Sequence, residues 1–141
     1  MAGITGLVLE EDITDFFDRK NVNHWIMFRF SSDKHIEVDQ GGGTGWNGMI
    51  TKLPLDEVRY VICNFGYISP SDKIQRSKLI FLMWAPESAN IKEKLKVTMY
   101  CQEAKHLLSR RGIPISMQAT DLSDVNTKMV VSKIKQHTTT F

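Results

Sequence analysis

Three groups of cationic side chains carry whatever chemistry this sequence can do. "KIQRSK" supplies Lys73, Arg76 and Lys78, and "NIKEKLKVTM" supplies Lys92, Lys94 and Lys96, with Lys105, Arg110 and Arg111 beyond. Near the C-terminus stand Lys128, Lys133 and Lys135. Such groups pair with carboxylates or phosphates. At about 100° per residue, Lys92 and Lys96 share one helix face while Lys94 points elsewhere, with Glu93 beside them. Exposed next to Val97 and Met99, they would form a patch both apolar and cationic. That composition suits a protein partner with an acidic rim better than DNA. Nucleic-acid binding needs a continuous basic stripe with exposed aromatics, and most aromatics here fall in strand patterns. The net charge of +2 provides no global field, so targeting must come from local clusters. A single lysine is usually no more than a solvated residue, and only the helical grouping carries weight.

Catalytic templates find no match. His24, His35, His106 and His137 have no metal-ligand spacing with one another or with the cysteines. "GGGTGWNG" has the glycines of a phosphate-cradling loop but no following Lys-Ser/Thr, so it reads as a tight-turning loop. Cys63 and Cys101 lie in apolar surroundings with no nucleophile motif, consistent with packed thiols in a reducing, intracellular setting. A non-enzyme without metal or cofactor is expected.

The cationic groups need elements to hold them. The 141 residues, 42% apolar and 24% charged, fit one domain over 1–141 with a self-sufficient core. The N-terminus lacks the basic n-region of a signal peptide, and no apolar run approaches a membrane span, so a soluble cytoplasmic protein is expected. Leu9, Ile13, Phe16 and Phe17 recur at helical spacing behind Glu10, Glu11 and Asp12. Residues 24–30 and 34–38 read as a hairpin, 41–45 as a flexible loop, and 46–53 as a short helix ending at Pro54. Strands follow at 58–67 and 77–84; Leu79 to Trp84 is apolar without alternation, as in a strand covered on both faces. Asn90 with Glu93 has the form of a capping box opening a long helix that ends at Gly112. Ile91, Leu95 and Met99, then Ala104, Leu107 and Leu108, are expected to face inward. A short strand spans 113–119, and Thr120, Asp121 or Ser123 caps a last helix bearing Leu122, Val125, Met129 and Val130. The order predicts an α+β fold, a mixed five- to six-stranded sheet with helices on both faces.

These stretches resemble the actin-depolymerising factor/cofilin family. "RSKLIFLMWAPESA" is similar to its strand-to-helix signature ending in Trp-x-Pro-Glu/Asp, and "KLPLDEVRYVICNFGY" to its Leu-Pro…Arg-Tyr segment. "QATDLSDV" resembles the turn into its last helix, and "TGLVLEED" the approach to its first. The likeness runs along nearly the whole chain in order.

The resemblance implies a monomeric protein that binds actin monomers and filaments and promotes severing or depolymerisation. The apolar strand becomes the central stave supporting a recognition helix. The implied monomer-binding residues are Thr5, Gly6, Lys92, Lys94, Lys96, Met99, Asp121 and Asp124. The implied filament-binding residues are Arg76, Lys78, Lys133 and Lys135. Thr5 stands where the family commonly has a serine whose phosphorylation blocks binding. The distance from Trp84 to Tyr100 is about three residues longer than usual, near one helical turn, so either "KEKL" or "KVTM" takes the key basic position. Asn64 replaces an acid. Alternatives are a coactosin-like filament binder without strong depolymerising activity, or a basic phosphoinositide-binding module; headgroups would compete for the same lysines.

Overall fold

The computed structural model describes residues 7–9, 22–32, 34–109 and 114–138. Its elements are β1 (Val8–Leu9), β2 (Trp25–Ser32), β3 (His35–Gly42), α1 (Gly45–Ile50), β4 (Arg59–Ile68) and β5 (Gln75–Trp84). They continue with α2 (Ile91–Met99), α3 (Cys101–Leu108), β6 (Ile115–Ala119), a 3-10 turn (Leu122–Val125) and α4 (Thr127–Gln136). One six-stranded sheet has the order β1-β3-β2-β4-β5-β6. Its inner pairings are antiparallel and its two outermost, β1 with β3 and β5 with β6, are parallel. This is the mixed sheet with helices on both faces.

Period-two alternation splits the apolar residues between two cores. From β5, Phe81 and Met83 join Tyr60, Ile62, Val97, Ala104 and Leu108 on the face covered by α2 and α3. Ile80, Leu82 and Trp84 join Val61, Cys63, Trp46, Val130 and Ile134 on the face covered by α1 and α4. The unalternating run is thus a strand buried on both sides, as its composition suggested. It is interior but not central: β5 stands next to the edge strand β6, and β2 and β4 hold the middle.

Several boundaries differ from expectation. Leu9 lies in β1, pairing in parallel with Ile36, rather than in a helix. Ile13, Phe16, Phe17 and Gly112 lie outside the described residues. Gly41 and Gly42 extend β3 opposite Ile26 and Trp25 instead of forming a loop. A Cβ on Gly41 would come within 3.0 Å of the Trp25 carbonyl, so close strand approach demands the glycine. The helix α1 starts at Gly45, whose φ of +74° favours glycine, and ends at Ile50. The last helix is two pieces: Asp121 caps the 3-10 turn, and Asn126 caps α4 by accepting from Met129 N–H at 3.0 Å.

Tryptophan donors tie these pieces down. Trp46 Nε1 donates to the Val125 carbonyl at 2.6 Å and Trp84 Nε1 to the Pro54 carbonyl at 2.7 Å. The first bond fixes the 3-10 turn against α1, and the second anchors the end of β5 to the segment after α1.

Burial pushes the Cys63 thiol up from 9.0 to about 12. The unfolded chain therefore releases this proton at lower pH than the native one, so stability falls as pH rises above about 9 and keeps falling toward the native value. Urea unfolding between pH 8 and 11 should show this decline, and Cys63→Ala, less stable at pH 8, should show a shallower one.

Candidate functional site

The surface of α2 departs most from the sequence reading. Asn90 does cap it, accepting from Lys92 N–H at 2.8 Å, while Glu93 pairs with Lys96 at 3.4 Å. The expected single long helix is broken at Tyr100, which has φ −94° and ψ 7°. Two side chains intrude on the helical ladder there. The Thr98 hydroxyl donates to the Lys94 carbonyl at 2.8 Å, and the Tyr60 hydroxyl reaches up from β4 to the Val97 carbonyl at 2.6 Å. That carbonyl is the acceptor an unbroken helix offers to the Cys101 amide, so a buried tyrosine both bends the helix and fastens it to the sheet. Burial raises the Tyr60 phenol well above its ordinary value, so it stays a donor at any physiological pH.

The fastening decides which face is free. Val97, Tyr100, Cys101, Ala104 and Leu108 are buried, a set that runs through both helices. Ile91, Leu95 and Met99, expected inside, are 69%, 67% and 66% exposed. They recur every four residues, and Leu95 is about 200° around the helix from Val97. Three large apolar side chains thus stand mostly exposed in one row on the free side of α2, the composition that docking surfaces have.

The lysines border this row unequally. Lys92, Lys96 and Lys34, from the turn between β2 and β3, line a shallow hollow of about 340 Å³ with Leu95, Met99 and Tyr100. Lys96 also stacks over the Phe30 ring, 4.5 Å from its centroid, and its side chain is 17% exposed. Lys94 turns to the other flank, where its ammonium donates to the Glu87 carbonyl at 3.1 Å. Lys92 is therefore the lysine of α2 most available to a partner, joined by Lys34. Neither Lys34 nor Ile91 is read from sequence as part of a site, and Leu95, within the 92–99 stretch expected to meet a partner, is expected to face inward.

Asp121 and Asp124 meet in a reciprocal cap. Asp121 Oδ1 accepts from Ser123 N–H at 3.0 Å, and Asp124 Oδ2 accepts from Thr120 and Asp121 N–H groups at 3.2 Å each. Both carboxylates shape the turn, and the apolar side chain it offers outward is Leu122, 43% exposed. Thr5 and Gly6 lie outside the described residues; Leu7 is buried, and Val8 N–H donates to the Lys34 carbonyl at 2.8 Å.

Arg76 and Lys78 alternate with Ser77 along β5, so they point to the same side as Ile80, the face covered by α4. Arg76 pairs with Asp72. Lys133 and Lys135 flank the buried Ile134 of α4. The structure thus puts Arg76, Lys78, Lys133 and Lys135 on one side of the sheet and the row on α2 on the other.

Among the described residues no group of three or more histidine, cysteine or acidic side chains is arranged to hold a metal ion. No described helix is long and apolar enough to cross a membrane.

Comparisons with known proteins agree on the family. The family described as cofilin/tropomyosin-type actin-binding protein matches residues 4–135. Actin-depolymerizing factor 3 of Zea mays is 32% identical over 110 residues, covering 76% of this chain and 77% of its own. The crystal structure of Streptomyces griseoflavus cofilin superposes with a TM-score of 0.74 at 26% identity, covering 93% of this chain and 98% of that one. Coactosin from Entamoeba histolytica shares the fold, with a TM-score of 0.75 at 22% identity over 94% of this chain and 99% of its own.

Tyr60→Phe removes the hydroxyl that holds the Val97 carbonyl. It should lower stability by about 1–2 kcal/mol. Amide exchange in α2 should quicken more than in β4 and β5; equal quickening throughout would mean that the bond does not single out the helix.

Proposed function

The chain belongs to the cofilin/tropomyosin-type family of actin-binding proteins, and from that premise we propose that it binds monomeric and filamentous actin and promotes severing and depolymerisation. The single observation that carries this reading is the exposed row of Ile91, Leu95 and Met99 on a helix fastened from below. A helix already rigid before contact loses little entropy on docking, so its apolar row contributes to affinity nearly undiminished. Relatives named for actin depolymerisation support the same direction.

In this reading the monomer contact comprises the α2 row with Lys92, Lys94, Lys96 and Lys34 on its flanks, the turn of Asp121 and Asp124, and Thr5 and Gly6. Arg76, Lys78, Lys133 and Lys135, across the sheet, touch a second subunit available only in filaments. One molecule bridging two subunits binds best to a filament twist that suits both contacts, and so draws the population toward that twist. Strain where decorated filament meets bare filament then breaks it. The protein acts as a monomer in the cytoplasmic actin cytoskeleton. A phosphate on Thr5 would oppose an acidic partner, and phosphoinositide headgroups would compete for the same lysines.

Co-sedimentation with filamentous actin tests this directly. The protein should pellet with filaments while actin rises in the supernatant; pelleting without actin release would favour a coactosin-like filament binder. Leu95→Ala should weaken monomer binding by about tenfold, with thermal stability nearly unchanged because the side chain is exposed. Arg76→Ala with Lys78→Ala should spare monomers and weaken filament binding, and equal loss on both would undo the two-surface assignment.

A further inference from the structure

The connection between β4 and β5 contains an acid that the filament contact has no use for. Asp72 Oδ1 accepts from Ile74 N–H at 3.1 Å, and Oδ2 accepts from Arg76 Nη2. The turn around it is firmly made. Ser69 N–H donates to the Ile74 carbonyl at 2.9 Å, Lys73 N–H to the Ser69 carbonyl at 2.8 Å, and Lys73 takes a φ of +61°. Asp72 is therefore held at a set position beside Arg76, and not by the ion pair alone. The pair lies at the surface, with side chains 34% and 36% exposed. The Arg76 guanidinium and the Ile74 amide hold the Asp72 carboxyl below the usual carboxylate range, which keeps it charged.

We propose that Asp72 is a built-in competitor that occupies the Arg76 guanidinium and so lowers affinity for filaments relative to monomers. The inference rests on the reading above, in which Arg76 meets the filament. A filament carboxylate must displace Asp72 to reach that guanidinium, and the displaced Asp72 then faces an acidic surface. Monomer contact, on the opposite side of the sheet, is untouched. Asp72 thereby sets the balance between the two activities, an instance of specificity through an opposing charge.

Asp72→Asn tests this cleanly, because the amide oxygen still accepts from Ile74 N–H while the charge is gone. Measured by co-sedimentation at fixed ionic strength, it should bind filaments about two- to fivefold more tightly, the range set by exposed ion pairs. Monomer affinity should be unchanged. In an Arg76→Ala background the gain should vanish, since Asp72 acts through Arg76. A gain that persists there would mean simple charge repulsion and overturn the proposal. Weakening by Arg76→Ala together with no gain from Asp72→Asn would overturn it too, while the filament reading stands. Full filament binding by Arg76→Ala would sink that reading, and the inference with it.

Discussion

One buried hydrogen bond, from the Tyr60 hydroxyl to the Val97 carbonyl, organises the side of the molecule that carries α2. A helix of nine residues is marginal in isolation, and α2 owes its order to the sheet beneath it. Val97 and Tyr100 supply apolar contact, Phe30 lies edge-on to Tyr60 and against Tyr100, and the hydroxyl fixes how the helix is rotated. Rotation matters because it decides that Leu95 points out. Turned by half a revolution, the helix would bury Leu95 and expose Val97, and the free surface would lose its apolar row.

The sheet carries this rigidity through to the other side. Along β5, successive residues enter opposite cores, so the strand is a common wall for the helices α2 and α3 on one face and α1 and α4 on the other. Each large side chain there contributes about 1.5–3 kcal/mol on burial. Arg76 and Lys78 extend from the same strand beyond its buried part. In the proposed reading, two surfaces on opposite sides of one stiff layer keep a fixed mutual geometry, which a protein must have to favour one filament twist over another. The fold alone does not choose the activity, since a coactosin shares it.

Local signals in the sequence were the legible ones. Asn90 as a cap, the interior character of the 79–84 run and the β2–β3 hairpin depend on neighbours a few residues away. The helix break was not legible, because its cause sits 37 residues upstream in Tyr60. Nor was the orientation of α2. Its apolar residues form two competing rows, and Ile91, Leu95 and Met99 have the more regular four-residue spacing. A discriminating signal did exist: only the row through Val97, Cys101, Ala104 and Leu108 continues from the end of α2 through α3. Likewise, Gly41 and Gly42 looked like a loop by composition, and their place in β3 depends on the Trp25 strand lying alongside. The lysines were found as a group, but their separate duties, with Lys94 on the Glu87 carbonyl and Lys96 over Phe30, depend on tertiary neighbours.

The central claim is that the outward face of α2 is the contact with monomeric actin. Hydrogen exchange of the free protein and of its complex with monomeric actin tests it most directly. The account expects new protection concentrated in residues 91–99 and in the 121–125 turn, with β4 and the hairpin at Asp72 unchanged. Protection on the Arg76 side of the sheet with α2 unaltered would contradict it.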